Sequence, residues 1–192
     1  EFDVYERINK MIRLTVPEKK RIESLPDIGN KGYETFPEDN ISLTIEQEEA
    51  LEGSLNSFIS IITGGAGCGK TTLIKQIIKN ILNTGEKFIL ASYTGKAVLR
   101  IKESIGEEFG KVECMTLDKI ITKKKRGGSI KDFDYVIIDE ASMISTELMW
   151  NFLSQFDHRL KLILIGDCNQ LPPIGPGSFF TQLIDSDRVP IY

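Results

Sequence analysis

Short apolar runs alternate with stretches of helical periodicity from Ile41 onward. The apolar runs predict strands over residues 58–63, 87–92, 135–139 and 162–166. Apolar residues at helical spacing predict helices over 45–55, 70–83, 96–105 and 146–155. This alternation is typical of a parallel sheet flanked by helices, so the pattern indicates an α/β fold.

The first forty residues have a different pattern. Residues 5–14 could form a short amphipathic helix, but prolines and glycines interrupt the segment after it, at Pro17, Pro26, Gly29, Gly32 and Pro37. We therefore expect an N-terminal extension or linker over 1–40, without chemistry, and one folded domain over 41–192. The chain begins at Glu1 without an initiator methionine, which suggests a piece of a longer protein.

Composition narrows the class of protein. A chain of 192 residues with 41% apolar content is long enough for one well-packed domain. Its apolar runs are too short to span a membrane and it carries no secretory signal, so we expect a soluble protein of the cytoplasm or nucleus, with no membrane partner. The three cysteines lack metal-ligand spacing and are expected to be reduced thiols. A net charge of −4 argues against bulk coating of nucleic acid but leaves room for a local basic channel.

A phosphate-binding pattern, G-x-x-x-x-G-K-[ST], begins at Gly64, between a predicted strand and a predicted helix. Glycines let backbone N–H groups wrap a phosphate chain, and the helix behind them directs its positive end at the anion. Lys70 would reach the β- and γ-phosphates, and the Thr71 hydroxyl would hold Mg²⁺. The alternative is a glycine-rich turn. The candidate nucleotide-binding residues are Gly65, Ala66, Gly67, Cys68, Gly69, Lys70, Thr71 and Thr72.

Two adjacent acids, Asp139 and Glu140, end the predicted strand 135–139. Ligands of open α/β folds bind at the carboxyl ends of the strands. Asp139 would hold Mg²⁺, and Glu140 is the candidate general base for the water that attacks the γ-phosphate. The alternative is a pair of acids capping the next helix.

A polar loop lies after the last predicted strand and contains Gln170, Pro172 and Pro173. The Gln170 amide can donate to a γ-phosphate and accept from an ordered water, and the prolines would stiffen the loop. The candidate catalytic residues are therefore Lys70, Glu140 and Gln170. As a lone feature this loop could be a rigid turn.

Four elements, taken together, resemble the first motor domain of RecD-like helicases of superfamily 1B. They are the phosphate loop, Ser92-Tyr93-Thr94-Gly95-Lys96-Ala97, Asp139-Glu140-Ala141-Ser142 and Gly166-Asp167-Cys168-Asn169-Gln170-Leu171-Pro172-Pro173. The resemblance covers residues 43–192, and its last element is the most specific. It implies a RecA-like P-loop NTPase domain with a parallel central sheet flanked by helices. It also implies ATP and Mg²⁺ as cofactors, single-stranded nucleic acid (DNA ahead of RNA) as partner, and movement from 5′ to 3′.

The resemblance assigns further roles. Gln47 matches a glutamine that reads adenine, although Thr44-x-x-Gln47 also fits a helix capping box. Thr94, Gly95 and Lys96 match a contact to the nucleic-acid backbone, with Gly95 open to a second interpretation as a helix-start turn. The family carries proline where this chain has Tyr93, whose ring could stack on a base.

Thr116 and Lys119 match a second element by which the family contacts the nucleic-acid strand, but one residue of this element differs here. Asp118 stands where the family has histidine, and its carboxylate would repel a phosphate. Thr116 and Lys119 remain candidate contacts.

The family carries a β-hairpin pin before the acid pair, and residues 121–133 occupy its place here. Gly127-Gly128 could supply a two-residue turn. A basic run precedes it and suits a phosphate backbone, unless it is a solvated loop: Lys123, Lys124, Lys125 and Arg126.

Two functions from different classes remain open. The first is the ATP-binding motor domain of a nucleic-acid helicase, completed by a second RecA-like domain whose arginines stabilise the transferring phosphoryl group. The second is a P-loop switch that uses ATP to dock a partner and does not translocate. In the first case the chain alone is expected to bind ATP weakly and hydrolyse it very slowly.

Overall fold

The structure is a computed structural model that describes residues 6, 8–10, 42–106, 109, 112–127, 133–156, 160–170 and 172–192. The expectations for the rest of the N-terminal extension and for residues 128–132 of the pin lie outside the described residues. Among the described residues, no helix is both long and apolar enough to cross a membrane.

A five-stranded, fully parallel sheet forms the centre of the domain, in the order β1-β5-β4-β2-β3. The strands are β1 (Ile59–Thr63), β2 (Phe88–Ser92), β3 (Cys114–Thr116), β4 (Tyr135–Asp139) and β5 (Lys161–Gly166). The helices are α1 (Ile45–Asn56), α2 (Lys70–Thr84), α3 (Gly95–Ile105), α4 (Leu117–Lys125), α5 (Thr146–Leu153) and α6 (Phe179–Asp185), with a 3₁₀ turn at Ala141–Met143. The parallel α/β fold expected from the sequence is confirmed.

Both faces of the sheet are buried, which explains why the strands are apolar without alternation. One face, with Ile61, Ile138 and Leu164, packs against α4, α5 and α6. The other face, with Ile62 and Ile137, packs against α1, α2 and α3. Successive residues of each strand therefore enter two separate cores.

The last residues of the chain extend the sheet beyond β1. Ile61 N donates to Pro190 O at 2.9 Å, Tyr192 N donates to Ile61 O at 2.9 Å, and Thr63 N donates to Tyr192 O at 2.8 Å. This short parallel pairing covers the outer edge of β1. Sequence reasoning did not predict it.

Helix α4 corrects the expectation of a β-hairpin over 121–133. Ile121 to Lys125 are helical, because Leu117, Ile120 and Ile121 form an apolar stripe at helical spacing that is buried against the sheet. Thr116 caps this helix, since its hydroxyl accepts from Lys119 N at 3.3 Å. The basic run is therefore the last turn of a helix and its C-cap.

Part of the N-terminal extension packs on the domain, within the range 5–14 where the sequence suggested a short amphipathic helix. Residues 6 and 8–10 are helical. Ile8 is 1% exposed and belongs to the same core as α4, α5 and α6. Arg188 Nη1 donates to Asn9 Oδ1 at 3.1 Å.

Candidate nucleotide site and nucleic-acid interface

The carboxyl ends of all five strands lie in register along one edge of the sheet. Thr63 pairs with Gly166, and Ser92 lies between Asp139 on one side and Thr116 on the other. The loops after these residues carry the sequence-predicted site residues. The fold therefore brings the phosphate loop, the acid pair, the Gln170 loop and both threonine elements to the same edge.

The phosphate loop is shaped by two glycines with left-handed backbone. Gly67 has φ 80° and Gly69, the N-cap of α2, has φ 85°. A side chain at either position would be strained. Lys70 begins α2, and its ammonium donates to Gly65 O at 2.7 Å and to Gly64 O. Thr71 and Thr72 come next in the first turn of α2, so the loop places an ammonium, two hydroxyls and a helix N-terminus around one concave backbone.

Gln47 links helix α1 to the phosphate loop. The capping box is present: Gln47 Oε1 accepts from Thr44 N at 3.1 Å, and Gln47 N donates to Thr44 Oγ1 at 3.3 Å. Its Nε2 donates to Cys68 O at 3.1 Å. A Cβ at Gly69 would lie 2.5 Å from that nitrogen, so the glycine also makes room for the amide. The oxygen and the nitrogen of the Gln47 amide each retain one unused hydrogen-bonding position. An adenine edge requires one acceptor and one donor of this kind.

The acid pair lies beside the phosphate loop. Burial raises the pKa of Asp139, against the opposing effects of its hydrogen bond from Glu140 N, at 2.9 Å, and of the Lys70 charge. Burial raises the pKa of Glu140 too, and the Asp139 charge adds to this, while Arg100 opposes it. Glu140 has φ 55°, a left-handed conformation that is costly for a side chain other than glycine.

The Gln170 loop is held by its own backbone and by the turn after the acid pair. Gln170 N donates to Asp167 O at 3.2 Å, and Asn169 N donates to the buried Asp167 carboxylate at 2.9 Å. Ser142 Oγ donates to Gln170 Oε1 at 3.4 Å. These contacts place an exposed amide at the end of β5, next to β1 and its phosphate loop.

Thr94 and Thr116, which were predicted to contact a nucleic-acid strand, are the N-caps of the helices that follow the neighbouring strands β2 and β3. Thr94 Oγ1 accepts from Ala97 N at 3.1 Å at the start of α3, and Thr116 caps α4 in the same way. In each case the hydroxyl proton stays available to a phosphate. Gly95 and Lys96, in the first turn of α3, are exposed.

Tyr93 and the basic run are placed less favourably than the sequence suggested. The Tyr93 ring is half-buried and packs against the core, which limits stacking on a base. Helix α4 begins at the carboxyl edge and runs away from it for nine residues, about 13 Å. Lys124 Nζ lies 4.9 Å from the Phe156 ring centroid, just before β5 starts. The basic run is thus separated from Thr94 and Thr116.

Sequence reasoning gave no role to two residues of the site, Ser142 and Arg100. Ser142 contacts Gln170. Arg100, on the exposed face of α3, lies close enough to Glu140 to oppose the rise of its pKa. Cys168 Sγ lies 3.0 Å from Thr63 Oγ1, at the base of the phosphate loop. Ser142 and Cys168 lie within the matched motif elements, and the helical spacing of Arg100 behind Lys96 was the signal that could have indicated Arg100.

Comparisons with known proteins agree with this geometry. A family model described as an AAA domain matches residues 47–176. The RecBCD enzyme subunit RecD of Mycobacterium tuberculosis is 27% identical over an alignment of 168 residues, which covers 75% of this chain and 29% of that protein. The ATP-dependent RecD2 DNA helicase of Deinococcus radiodurans is 27% identical over an alignment of 154 residues, which covers 78% of this chain and 21% of that protein. This chain thus spans less than a third of these relatives.

The fold has a counterpart among solved structures. The helicase domain of Hef from Pyrococcus furiosus superposes with a TM-score of 0.59 at 19% identity, covering 83% of this chain and 39% of that one. At this identity the likeness concerns the fold alone, a RecA-like sheet with helices on both faces. The matched family model spans most of the chain. The chain therefore belongs to the AAA domain family, with a RecA-like fold, and it is similar to the RecD and RecD2 helicases.

Proposed function

We propose that this chain is the ATP-binding motor domain of an ATP-dependent DNA helicase of superfamily 1B that moves from 5′ to 3′. The observation that carries the proposal is the shared edge of the sheet. The phosphate loop, the acid pair and Gln170 come after β1, β4 and β5, while two threonine-capped helices come after β2 and β3. The proposed nucleotide site and the proposed nucleic-acid contact would then occupy adjacent halves of one edge, which suits the coupling of hydrolysis to movement.

ATP is the proposed nucleotide. The backbone N–H groups of the loop and the Lys70 ammonium suit its phosphates, and the free positions of the Gln47 amide suit an adenine edge. Lys70 now donates to two loop carbonyls, so phosphate oxygens would replace those partners when they bind.

The donor set also fits Mg²⁺. Thr71 supplies a hydroxyl in the first turn of α2, and Asp139 a carboxylate at the end of β4. Within the described ranges, no group of three or more His, Cys, Asp or Glu side chains converges to hold a metal. This suits Mg²⁺, which takes one or two protein oxygens and completes its octahedron with phosphates and water.

Glu140 and Gln170 are the proposed catalytic residues. The raised pKa of Glu140 makes it a stronger base than an ordinary carboxylate, which favours removal of a proton from the attacking water. Gln170 would donate to the γ-phosphate. A second RecA-like domain is the proposed partner, since an arginine from such a domain accelerates phosphoryl transfer by about 10³–10⁵ where it is known. We expect slow hydrolysis by this chain alone.

The single-stranded nucleic acid is proposed to lie across the N-termini of α3 and α4. Thr94, Gly95 and Lys96 offer a hydroxyl proton, an open backbone and an ammonium at the start of α3. Thr116 and Lys119 offer a hydroxyl proton and an ammonium at the start of α4, after the neighbouring strand β3. Asp118, in the first turn of α4, weakens that second contact by repulsion.

A matched pair of lysines on α3 tests this surface. Lys96 lies in the first turn, at the proposed strand, whereas Lys102 lies exposed in the last turn, away from it. In the full-length protein, Lys96→Ala is expected to lower affinity for labelled single-stranded DNA and to reduce the salt slope by about one unit. Lys102→Ala should change neither. Equal effects of the two variants, measured by fluorescence anisotropy across salt concentrations, would contradict the placement.

The basic run of α4 has a different expectation. The run lies about one helix length from Thr116, so we do not expect it to contact the same nucleotides as Thr116. We propose that it meets nucleic acid outside the central track. Neutralising Lys123, Lys125 and Arg126 should then weaken binding of long strands and leave binding of the shortest strands unchanged.

A further inference from the structure

Ser142 lies between the acid pair and the Gln170 loop. It belongs to the 3₁₀ turn Ala141–Met143, which begins directly after Glu140. Its side chain is nearly buried, with 7% of the residue exposed, and its hydroxyl donates to Gln170 Oε1 at 3.4 Å. Ser142 is thus the described side chain that joins the end of β4 to the amide at the end of β5.

Close packing fixes the two backbones relative to each other. A Cβ at Gly166 would lie 3.1 Å from Ser142 N and 2.8 Å from Phe180 Cζ, so the turn rests directly on the end of β5. Gln170 is tied to the same end, since its N–H donates to Asp167 O. Ser142 therefore has little freedom to move away from the amide that it contacts.

In the structure this hydrogen bond goes with one orientation of the Gln170 amide, in which the oxygen faces Ser142. An amide has a carbonyl oxygen on one side and two N–H donors on the other, and a half-turn exchanges them. Because the Ser142 hydroxyl donates to the oxygen, the two N–H groups remain for an anionic ligand. The bond is longer than the roughly 2.7–2.8 Å typical of O–H···O pairs, so it can shorten when Gln170 engages a ligand.

We propose that Ser142 is a positioning residue, which orients the amide of Gln170 so that its N–H groups meet the γ-phosphate of ATP. This inference rests on the proposed function. Without the serine hydroxyl the amide would populate both orientations, and part of its contribution to ATP recognition would be lost. ADP lacks the γ-phosphate, so its binding would not change.

Nucleotide selectivity is the first test. Calorimetric titration of this chain with ATP and ADP, both with Mg²⁺, gives the ratio of their affinities. In Ser142→Ala that preference for ATP should fall by about two- to tenfold, the range for one hydrogen bond. In a Gln170→Ala background, Ser142→Ala should cause no further fall. An additive loss in the double variant, or an unchanged ratio in the single one, would overturn the proposal.

Ser145→Ala is the matched control. Ser145 is a nearly buried serine on the same segment, and its hydroxyl caps α5 by accepting from Leu148 N at 3.2 Å. Its loss should lower the melting temperature without changing the ratio of ATP to ADP affinity. A fall in the ratio in this variant would mean that general loosening of the segment, rather than the Gln170 contact, sets the selectivity.

A second measurement needs no nucleotide. The ¹⁵N relaxation of the Gln170 side-chain amide reports its mobility, which should rise in Ser142→Ala and stay unchanged in Ser145→Ala. Unchanged mobility in Ser142→Ala would refute the positioning role whatever the affinities are. Conversely, if wild type and Lys70→Ala bound ATP equally poorly, the proposed function would fail while the relaxation result still decided whether Ser142 orders the amide.

Discussion

Gly53 lies inside helix α1, and helix propensity and tertiary packing predict opposite effects of its replacement by alanine on the stability of the domain. Helix propensity alone favours alanine over glycine by about 1 kcal/mol. The structure, however, places the ring of Tyr192 where the new methyl group would be: a Cβ at Gly53 would lie 1.8 Å from Tyr192 Oη and 2.1 Å from its Cζ. Both cannot occupy that space, so we expect Gly53→Ala to destabilise the domain.

The magnitude depends on the contacts that Tyr192 makes. Its ring packs on the core between the sheet and α1, and its backbone pairs with Ile61 and Thr63 of β1. Burying a whole aromatic side chain is worth roughly 4–6 kcal/mol from its area, and Tyr192 is only partly buried, so displacing it should cost about 2–3 kcal/mol. After the gain in helix propensity, a net loss of about 1–2 kcal/mol remains, which lowers the melting temperature by roughly 2–8 °C in a domain of this size.

Thermal unfolding followed by circular dichroism measures this change. Gly95→Ala is the control, because the Cβ that it would add in the first turn of α3 has no atom within 4 Å apart from its chain neighbours and the backbone of its own helix. It should leave the melting temperature unchanged or raise it. In a Tyr192→Ala background, Gly53→Ala should become stabilising. A higher melting temperature for Gly53→Ala in the wild-type background would refute the close packing of Tyr192 on α1.

Three further predictions concern the nucleotide site. Glu140→Gly should raise the free energy of unfolding by about 1 kcal/mol, since φ 55° strains glutamate but not glycine, and should abolish hydrolysis; a loss of stability in urea would contradict it. Asp139→Asn should stabilise the domain at pH 7, because burial raises the pKa of Asp139 and ionisation therefore opposes folding above that pKa. The advantage should shrink as the pH falls towards 4, roughly the ordinary pKa of the group, and a gap that widened instead would reverse the sign. ATP with Mg²⁺ should slow alkylation of the exposed Cys68 and Cys168, but not that of Cys114, whose pKa burial raises; mass spectrometry showing equal protection of all three would count against the site.

Much of the fold could be predicted because the strands are continuous apolar runs. The four predicted strands match β1, β2, β4 and β5 within a residue or two at each end. Strand β3 was missed, since its three residues are only half-buried and give no apolar run. A hairpin was expected in place of the end of α4 because the resembling family carries one there and Gly127-Gly128 could supply its turn. The stripe of Leu117, Ile120 and Ile121, at helical spacing, indicates the helix instead.

The site could be predicted where its residues come directly after strands, and not where it depends on contacts across the fold. The phosphate loop and the acid pair are local motifs, and the parallel sheet brings them together. The contact of Gln47 with Cys68 O and that of Ser142 with Gln170 join residues far apart in sequence. Such contacts depend on the spacing of strands and helices, which periodicity alone does not set.

Steady-state ATP hydrolysis by the full-length protein, with and without single-stranded DNA, tests the central claim most directly. Lys70→Ala serves as the blank, since that side chain contacts the loop that would hold the phosphates. A motor domain predicts slow hydrolysis without DNA, strong stimulation by single-stranded DNA, and no activity in Lys70→Ala. Hydrolysis that is indifferent to nucleic acid would contradict the claim and favour a P-loop switch that docks a partner.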